Sequence, residues 1–454
     1  MSETQPELIP GLEEFWTPDE SMEGLEREVR SKPPRFATSR PAQYDYGFVY
    51  RGPFETISDG VCTAVRRNAC ALRRSGVPVF LQSPTHLHWN NGVVERAYYS
   101  ELPFEVLAEV DHITEPKHAR TLGWFEHFVP DLAKLIQLTE PGALGADAEI
   151  KPSMLKSTAA VVALEHDVIP PSWIERFNMF GRVIVPCHAN EEWLRASGIQ
   201  VPVHVVVHPL SLKDPIRRVP KAAFKGGTFC FLHVGKWEPR KNQHVLIGAF
   251  LREFDPSDNV QLILKCNPYW SADGYPPTAQ ASIDWWLKRP DIAKKWGESW
   301  STCRDAIVPI WKQQYTREEM TLLYSKSHAY VQSGRSEGFD LCALDAKIAG
   351  LRMVGVFWGG PSQFHTPEDD IQIGWTARVI PPKGYQAPDG VLWPDPPVSF
   401  YAHALRKAFD RRNEPVPSFD AKPYLIDSVG AQFREIATEM AAYVGVDLRE
   451  MQAK

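Results

Sequence analysis

No apolar run in this chain of 454 residues approaches the ~20 residues that a membrane-crossing helix needs, so stable membrane insertion is not expected. The first residues, Met1-Ser2-Glu3-Thr4-Gln5-Pro6, are polar and acidic, without the basic and then apolar stretches of a secretory leader. Cysteine is sparse. Cys62, Cys70, Cys187, Cys230, Cys266, Cys303 and Cys342 are odd in number and contain no Cys-x-x-Cys pair. That excludes a disulfide scaffold and a paired-cysteine zinc site, and it points to free thiols in a reducing compartment. A cytoplasmic protein is therefore expected. Basic charge is not in excess: 50 Lys and Arg stand against 56 Asp and Glu, a net of −6. Such a balance leaves no electrostatic footprint for general nucleic-acid binding. Internal repeats and low-complexity tracts are absent as well.

The chain does have enough length for two domains of about 200 residues each, with an ordinary 43% hydrophobic and 23% charged content. Residues 1–43 are rich in Pro, Glu and Ser without sustained periodicity and read as an extension. Tyr46–Tyr50 reads as a strand. A helix-spaced run of Val61, Val65, Ala69 and Leu72 ends at Gly76, and a second strand follows at Val77–Leu81. This β-α-β order predicts a doubly wound parallel sheet. Further strands are expected at Leu135–Leu138, Ala159–Leu164, Arg182–Pro186 and Val203–Val207, which makes 44–212 one domain. The polar, basic, Pro/Gly-punctuated 213–227 reads as a linker, and a second sheet begins near Thr228. Between Lys265 and Val308 an aromatic-rich insertion is expected to interrupt the α/β alternation. The Pro-rich stretch from Pro381 to Pro423 is expected to be irregular. A closing helix is expected over Val429–Val444.

Two segments carry chemistry. In the first, a buried strand Phe229–Val234 breaks at Gly235, and a basic loop leads into a helix with Val245, Leu246, Ala249 and Phe250 on its apolar side. Lys236 and Lys241 bracket the turn at the carboxyl end of a strand, where open α/β sheets bind ligands. Two ammonium groups there can neutralise a diphosphate; a solvated basic loop is the alternative. The second segment is Ser336-Glu337-Gly338-Phe339-Asp340-Leu341-Cys342-Ala343-Leu344-Asp345. Gly338 lets backbone amides approach a ligand, and the helix opening there aims amides and dipole at an anion. Glu337 and Asp345 are spaced to take sugar hydroxyls and ribose hydroxyls at two ends of one ligand, or else are ordinary solvated carboxylates. His166, directly after a strand, can hydrogen-bond a sugar hydroxyl or be a satisfied structural histidine. Gly60 stands in the loop after the first strand, where a glycine eases a turn.

In order and spacing, these segments resemble the carboxy-terminal half of family-4-type retaining glycosyltransferases of the GT-B fold. There a strand-Gly-Arg/Lys-x4-Lys loop grips the diphosphate, and an acid-x7-acid motif grips the donor sugar and ribose. Tyr315–Ser325, Gly350–Val354 and Gly390–Pro396 resemble further parts of that pattern. Asp345 stands where Glu is usual, Lys236 where Arg is commoner, and Asp340 and Cys342 replace Gly and Pro. The resemblance implies an α/β GT-B protein, two Rossmann-like doubly wound parallel-sheet domains facing a cleft, with 228–425 binding the donor and a helix in 426–454 crossing back. It implies metal-independent, retaining transfer from a UDP-, GDP- or ADP-linked sugar to an acceptor glycan or small molecule, with no cofactor beyond the donor. The absence of an Asp-x-Asp pair agrees with that expectation. Glu337, Lys241 and His166 would be catalytic. Gly60, Lys236, Lys241, Gly338, Phe339, Asp340, Leu341 and Asp345 would hold the donor. Transfer to modified DNA and a catalytically degenerate binding protein are the alternatives.

Overall fold

A computed structural model describes residues 43–54, 60–82, 117–139, 152–210, 227–268, 274–311, 315, 317–383, 385 and 387–450. The expected extension and linker lie, apart from Gln43 and Gly227, outside them. The first half builds a six-stranded sheet in the order β2-β1-β3-β4-β5-β6. Its strands are β1 (Gln43–Arg51), β2 (Val79–Gln82), β3 (Lys117–His127), β4 (Thr158–Val161), β5 (Arg182–Val185) and β6 (Val203–Val205), all paired in parallel. Its helices are α1 (Gly60–Arg74), α2 (Leu132–Thr139), α3 (Pro171–Phe177) and α4 (His188–Ala196).

The second half repeats the plan. Its strands are β7 (Phe229–Trp237), β8 (Val260–Pro268), β9 (Ile307–Ile310), β10 (Ala329–Gln332), β11 (Arg352–Gly355) and β12 (Ile371–Gln372). They lie in the order β12-β11-β10-β7-β8-β9, again all in parallel. The chain winds outward from β7 on one side and from β10 on the other. The crevice between their carboxyl ends is thus the topological switch point, where such sheets bind ligands. Around this sheet stand α5 (Gln243–Glu253), α6 (Ala279–Leu287), α7 (Pro290–Trp296), α8 (Arg317–Lys326), α9 (Leu341–Ile348) and α10 (Val398–Asp410), with a small ribbon of β13 (Ala377–Val379) and β14 (Trp393–Asp395).

The last helix, α11 (Ile426–Tyr443), packs on the first half. Arg74 pairs with Asp427 at 2.9 Å and Arg182 with Glu439 at 2.6 Å. A Cβ on Gly430 would lie 2.5 Å from the carbonyl oxygen of Ala71, so only glycine permits this approach to α1.

Three expectations are corrected. Leu135–Leu138 is part of helix α2, not a strand: three apolar residues in a stretch of four fit either period. The aromatic insertion does not interrupt the alternation, because α6 and α7 lie between β8 and β9 in the usual order. Trp286 and Trp296 are buried in the core beside Phe250, and their indole N–H groups donate to the carbonyls of His244 and Leu251 at 2.9 and 2.8 Å. The Pro-rich stretch contains helix α10; its prolines flank the helix rather than break it.

Candidate active site

β7 ends against Pro239, whose fixed φ opens a single 3-10 turn, Pro239–Lys241. Asn242 closes it at φ 58°, ψ 27°, a left-handed conformation that asparagine tolerates better than most residues. The turn's carbonyls are taken from across the switch point. Arg335 Nη1 donates to Pro239 O at 2.7 Å, the Arg335 amide to Arg240 O at 2.8 Å, and Ser333 Oγ to Lys241 O at 2.6 Å. Ser333 and Arg335 directly follow β10, so the two loops that the sequence pattern singles out are bound to each other.

Between them lies a buried knot of charge. Arg240 Nη1 donates to Glu337 Oε2 at 2.8 Å and to Ser336 O at 2.7 Å, and Nη2 donates to Glu238 Oε1 at 2.7 Å. Lys241 Nζ lies 2.5 Å from Glu337 Oε1. The first half contributes Glu165, just beyond β4, whose carboxylate stands 3.1 Å from Arg240 Nη1 and accepts the Tyr385 hydroxyl. The Glu165 carbonyl accepts Ser336 Oγ, and Trp393 Nε1 at 3.2 Å. A single guanidinium thus meets three carboxylates.

Burial alone would push the Glu337 carboxyl up, but the charges of Arg240 and Lys241 override it and hold the group below its ordinary range. Burial disfavours the Lys241 ammonium, and Glu337 beside it overcomes that and raises the group. The same contest, with Glu165, Glu238 and Glu337 against burial, carries Arg240 well above its ordinary value. Asp340 goes the other way: burial, aided by the nearby charge of Glu337, pushes it up to about 6. It holds φ 72°, ψ 75° and accepts the Ala343 amide at 3.1 Å, closing the N-terminus of α9 with its own side chain.

The remaining expected residues lie on several elements. Gly338 lies against the first half, where an added Cβ would come 2.8 Å from Ala163 Cβ. Phe339 is buried with its ring edge-on to His208, centroids 5.0 Å apart. Leu341 opens α9 and is half-buried, whereas Asp345 is buried in that helix, not solvated. Lys236 sits on the last part of β7, its carbonyl accepting Gln243 Nε2 at 2.6 Å. Gly60 is exposed at the start of α1. His166 is buried, with Nδ1 2.9 Å from Val168 O and its ring edge-on to Trp173, and burial lowers its basicity. Those are the contacts of a locally satisfied ring. Arg240, Glu165, Glu238 and Tyr385 were not singled out from the sequence. Position beside Lys241, or directly after a buried strand, is the signal that could have found the first two.

No family model matches the chain, and no curated protein does. Solved structures do. The Anabaena protein HepE, in complex with UDP-glucose, shares 13% identity over 87% of this chain and 99% of its own, with a TM-score of 0.52. A glycosyltransferase from Rickettsia africae gives 11% identity over 87% and 98%, with a TM-score of 0.52. A UDP-forming α,α-trehalose-phosphate synthase from Burkholderia xenovorans, with glucose-6-phosphate, gives 12% over 87% and 100%, at 0.50. At such identities the likeness is one of fold. Together with the two parallel sheets, it makes this a two-domain, Rossmann-like GT-B structure.

Proposed function

We propose that this protein is a glycosyltransferase that moves a sugar from a nucleotide-sugar donor to an acceptor hydroxyl with retention of configuration. The observation that carries the reading is the pairing of Lys241 with Glu337 at 2.5 Å, at the switch point and directly under the first domain's Glu165 loop. A cation and a carboxylate so placed suit the two ends of a sugar diphosphate. Lys241 stabilises the phosphate oxygen on which charge develops as the bond to the sugar's C1 breaks. Glu337, kept ionised, accepts hydrogen bonds from sugar hydroxyls and orients the ring. The departing phosphate takes the acceptor's proton as the new C1–O bond forms. Asp345, buried one turn into α9, suits ribose hydroxyls. With cationic side chains serving the leaving group, turnover should not change on treatment with a chelator.

Thermal shift with a panel of UDP-, GDP- and ADP-sugars tests the reading. A donor at 100 times its dissociation constant stabilises by ~2.7 kcal/mol, and NMR of the first-formed product anomer reports retention. A chain that responds to none of the panel, or that yields the inverted anomer, does not have this function. A second reading, sugar-nucleotide binding without turnover, has one observation in its favour: the Asp340 carboxylate already occupies an amide at the N-terminus of α9. Binding without any release of nucleoside diphosphate would select it.

A further inference from the structure

The Glu337 carboxylate is buried between two cations. Arg240 and Lys241 face it from the turn after β7, each on its own oxygen. Glu238 from the same turn, Glu165 from the first domain, His233 from β7, Tyr330 from β10 and Asp340 from its own loop complete the charged and titratable surroundings. Lys241 cannot hold Glu337 at 2.5 Å and at the same time give its full charge to a diphosphate. If it turned to the phosphate with no other cation present, Glu337 would be left buried and unpaired, and would take up a proton instead. Arg240 is the cation that stays. Its guanidinium is tied to Ser336 O, Glu337, Glu238 and Glu165 within 2.7 to 3.1 Å, and unlike an ammonium it presents several donors in one rigid plane.

We infer that Arg240 is the positioning residue that keeps Glu337 fixed and ionised while Lys241 turns to the leaving diphosphate, and that Glu165 makes this arrangement depend on closure of the first domain. The inference rests on the glycosyltransferase reading given above. Three of the four acceptors of the guanidinium belong to the second domain. Among the described residues, Glu165 alone reaches it from the first, through its carboxylate, while its carbonyl takes Ser336 and Trp393. When the first domain swings away, Arg240 loses that acceptor, and the Glu337 loop loses its bond to the Glu165 carbonyl. The carboxylate is therefore in its working position only when the first domain is in place.

The test compares full-length wild type, Arg240→Lys and Glu165→Gln. The probes are UDP, GDP and ADP for binding by calorimetry, and UDP-glucose, GDP-mannose and ADP-glucose for release of nucleoside diphosphate with water as acceptor. Arg240→Lys should bind nucleotide within about threefold of wild type yet lose about thirtyfold in kcat. The acid limb of its kcat/KM profile should move up by about one pH unit, because a single ammonium cannot replace the fork that keeps Glu337 charged. Glu165→Gln, at a partly exposed residue, should lose about five- to tenfold in kcat with nucleotide affinity and acid limb unchanged. A purely structural Arg240 would lower the melting temperature without moving the acid limb. An unmoved limb or a wild-type kcat in Arg240→Lys overturns the inference. So does a wild-type kcat in Glu165→Gln, which decides the matter if Arg240→Lys does not fold. A wild type that binds no nucleotide and releases none removes the function reading and this inference with it. One that binds and turns over, with both variants silent, removes the inference alone.

Discussion

Asp340 combines a backbone at φ 72°, which few side chains adopt willingly, with a carboxyl that burial and Glu337 push up to about 6. Between its ordinary value near 4 and that raised value, the folded chain binds more protons at this group than the unfolded chain does. Its ionisation therefore takes stability away as pH rises from about 4 to about 6. Asparagine keeps the helix cap and tolerates the left-handed backbone but cannot ionise. The melting temperature of Asp340→Asn minus that of wild type should accordingly grow from pH 4 to pH 7; a constant difference would mean the carboxyl is not held in this way. Lys241→Ala should fold and lose at least ~100-fold in turnover, as removal of a transition-state charge does, and activity within threefold of wild type would take Lys241 out of the chemistry. At this scale Lys241 and Glu337 were legible because each follows a buried strand at a fixed spacing. Arg240's role was not. It depends on carboxylates 75 and 97 positions away, and adjacency along the chain says nothing about such partners.

Gly248 faces the ring of Trp286 so closely that a Cβ would lie 2.1 Å from it, which is how α5 and α6 share one core. Alanine there would raise helix propensity by up to about 1 kcal/mol, yet overpacking a rigid ring costs typically 1–3 kcal/mol. Gly248→Ala should thus be net destabilising in urea unfolding, and a stabilised variant would show that α6 moves freely relative to α5. Elements with continuous apolar runs, such as β7 and β10, or with a period of 3.6, such as α5 and α11, could be read directly. β3 escaped because its last residues are polar for tertiary reasons: Glu126 pairs with Arg51 at 2.6 Å, and His127 Nδ1 meets the Tyr50 hydroxyl at 3.0 Å. Polar groups satisfied by a neighbouring strand look, in sequence, like a loop. α10 escaped because prolines on both sides masked a helix whose buried face is Tyr401, Ala402, Leu405 and Ala408.

For the whole molecule, the first parallel sheet followed from β-α-β order and the two-domain plan from the family resemblance of two motifs, whereas the contacts that hold the halves together did not. They include Asp167 with Arg378 at 2.8 Å and Trp193 with Trp358 at 4.8 Å between ring centroids, which no local pattern encodes. The packing of α11 on α1 leads to a test at this scale. A chain stopped after Leu425 should lose protection of the first half against proteolysis while the second half stays resistant. Equal resistance of both halves would show that α11 is dispensable. The same packing sets an order of events at the ribosome. Residues 43–210 are made before the second half, but the part of their core that Phe433, Ile436 and Met440 cover is closed once Ile426–Tyr443 has been made, about two hundred residues later. At usual elongation speeds that is a wait of roughly 10–40 s, during which the second half can finish folding while the surface of α1 stays bare. The first sheet is thus completed after the second, and a chaperone's cover would serve it in the interval.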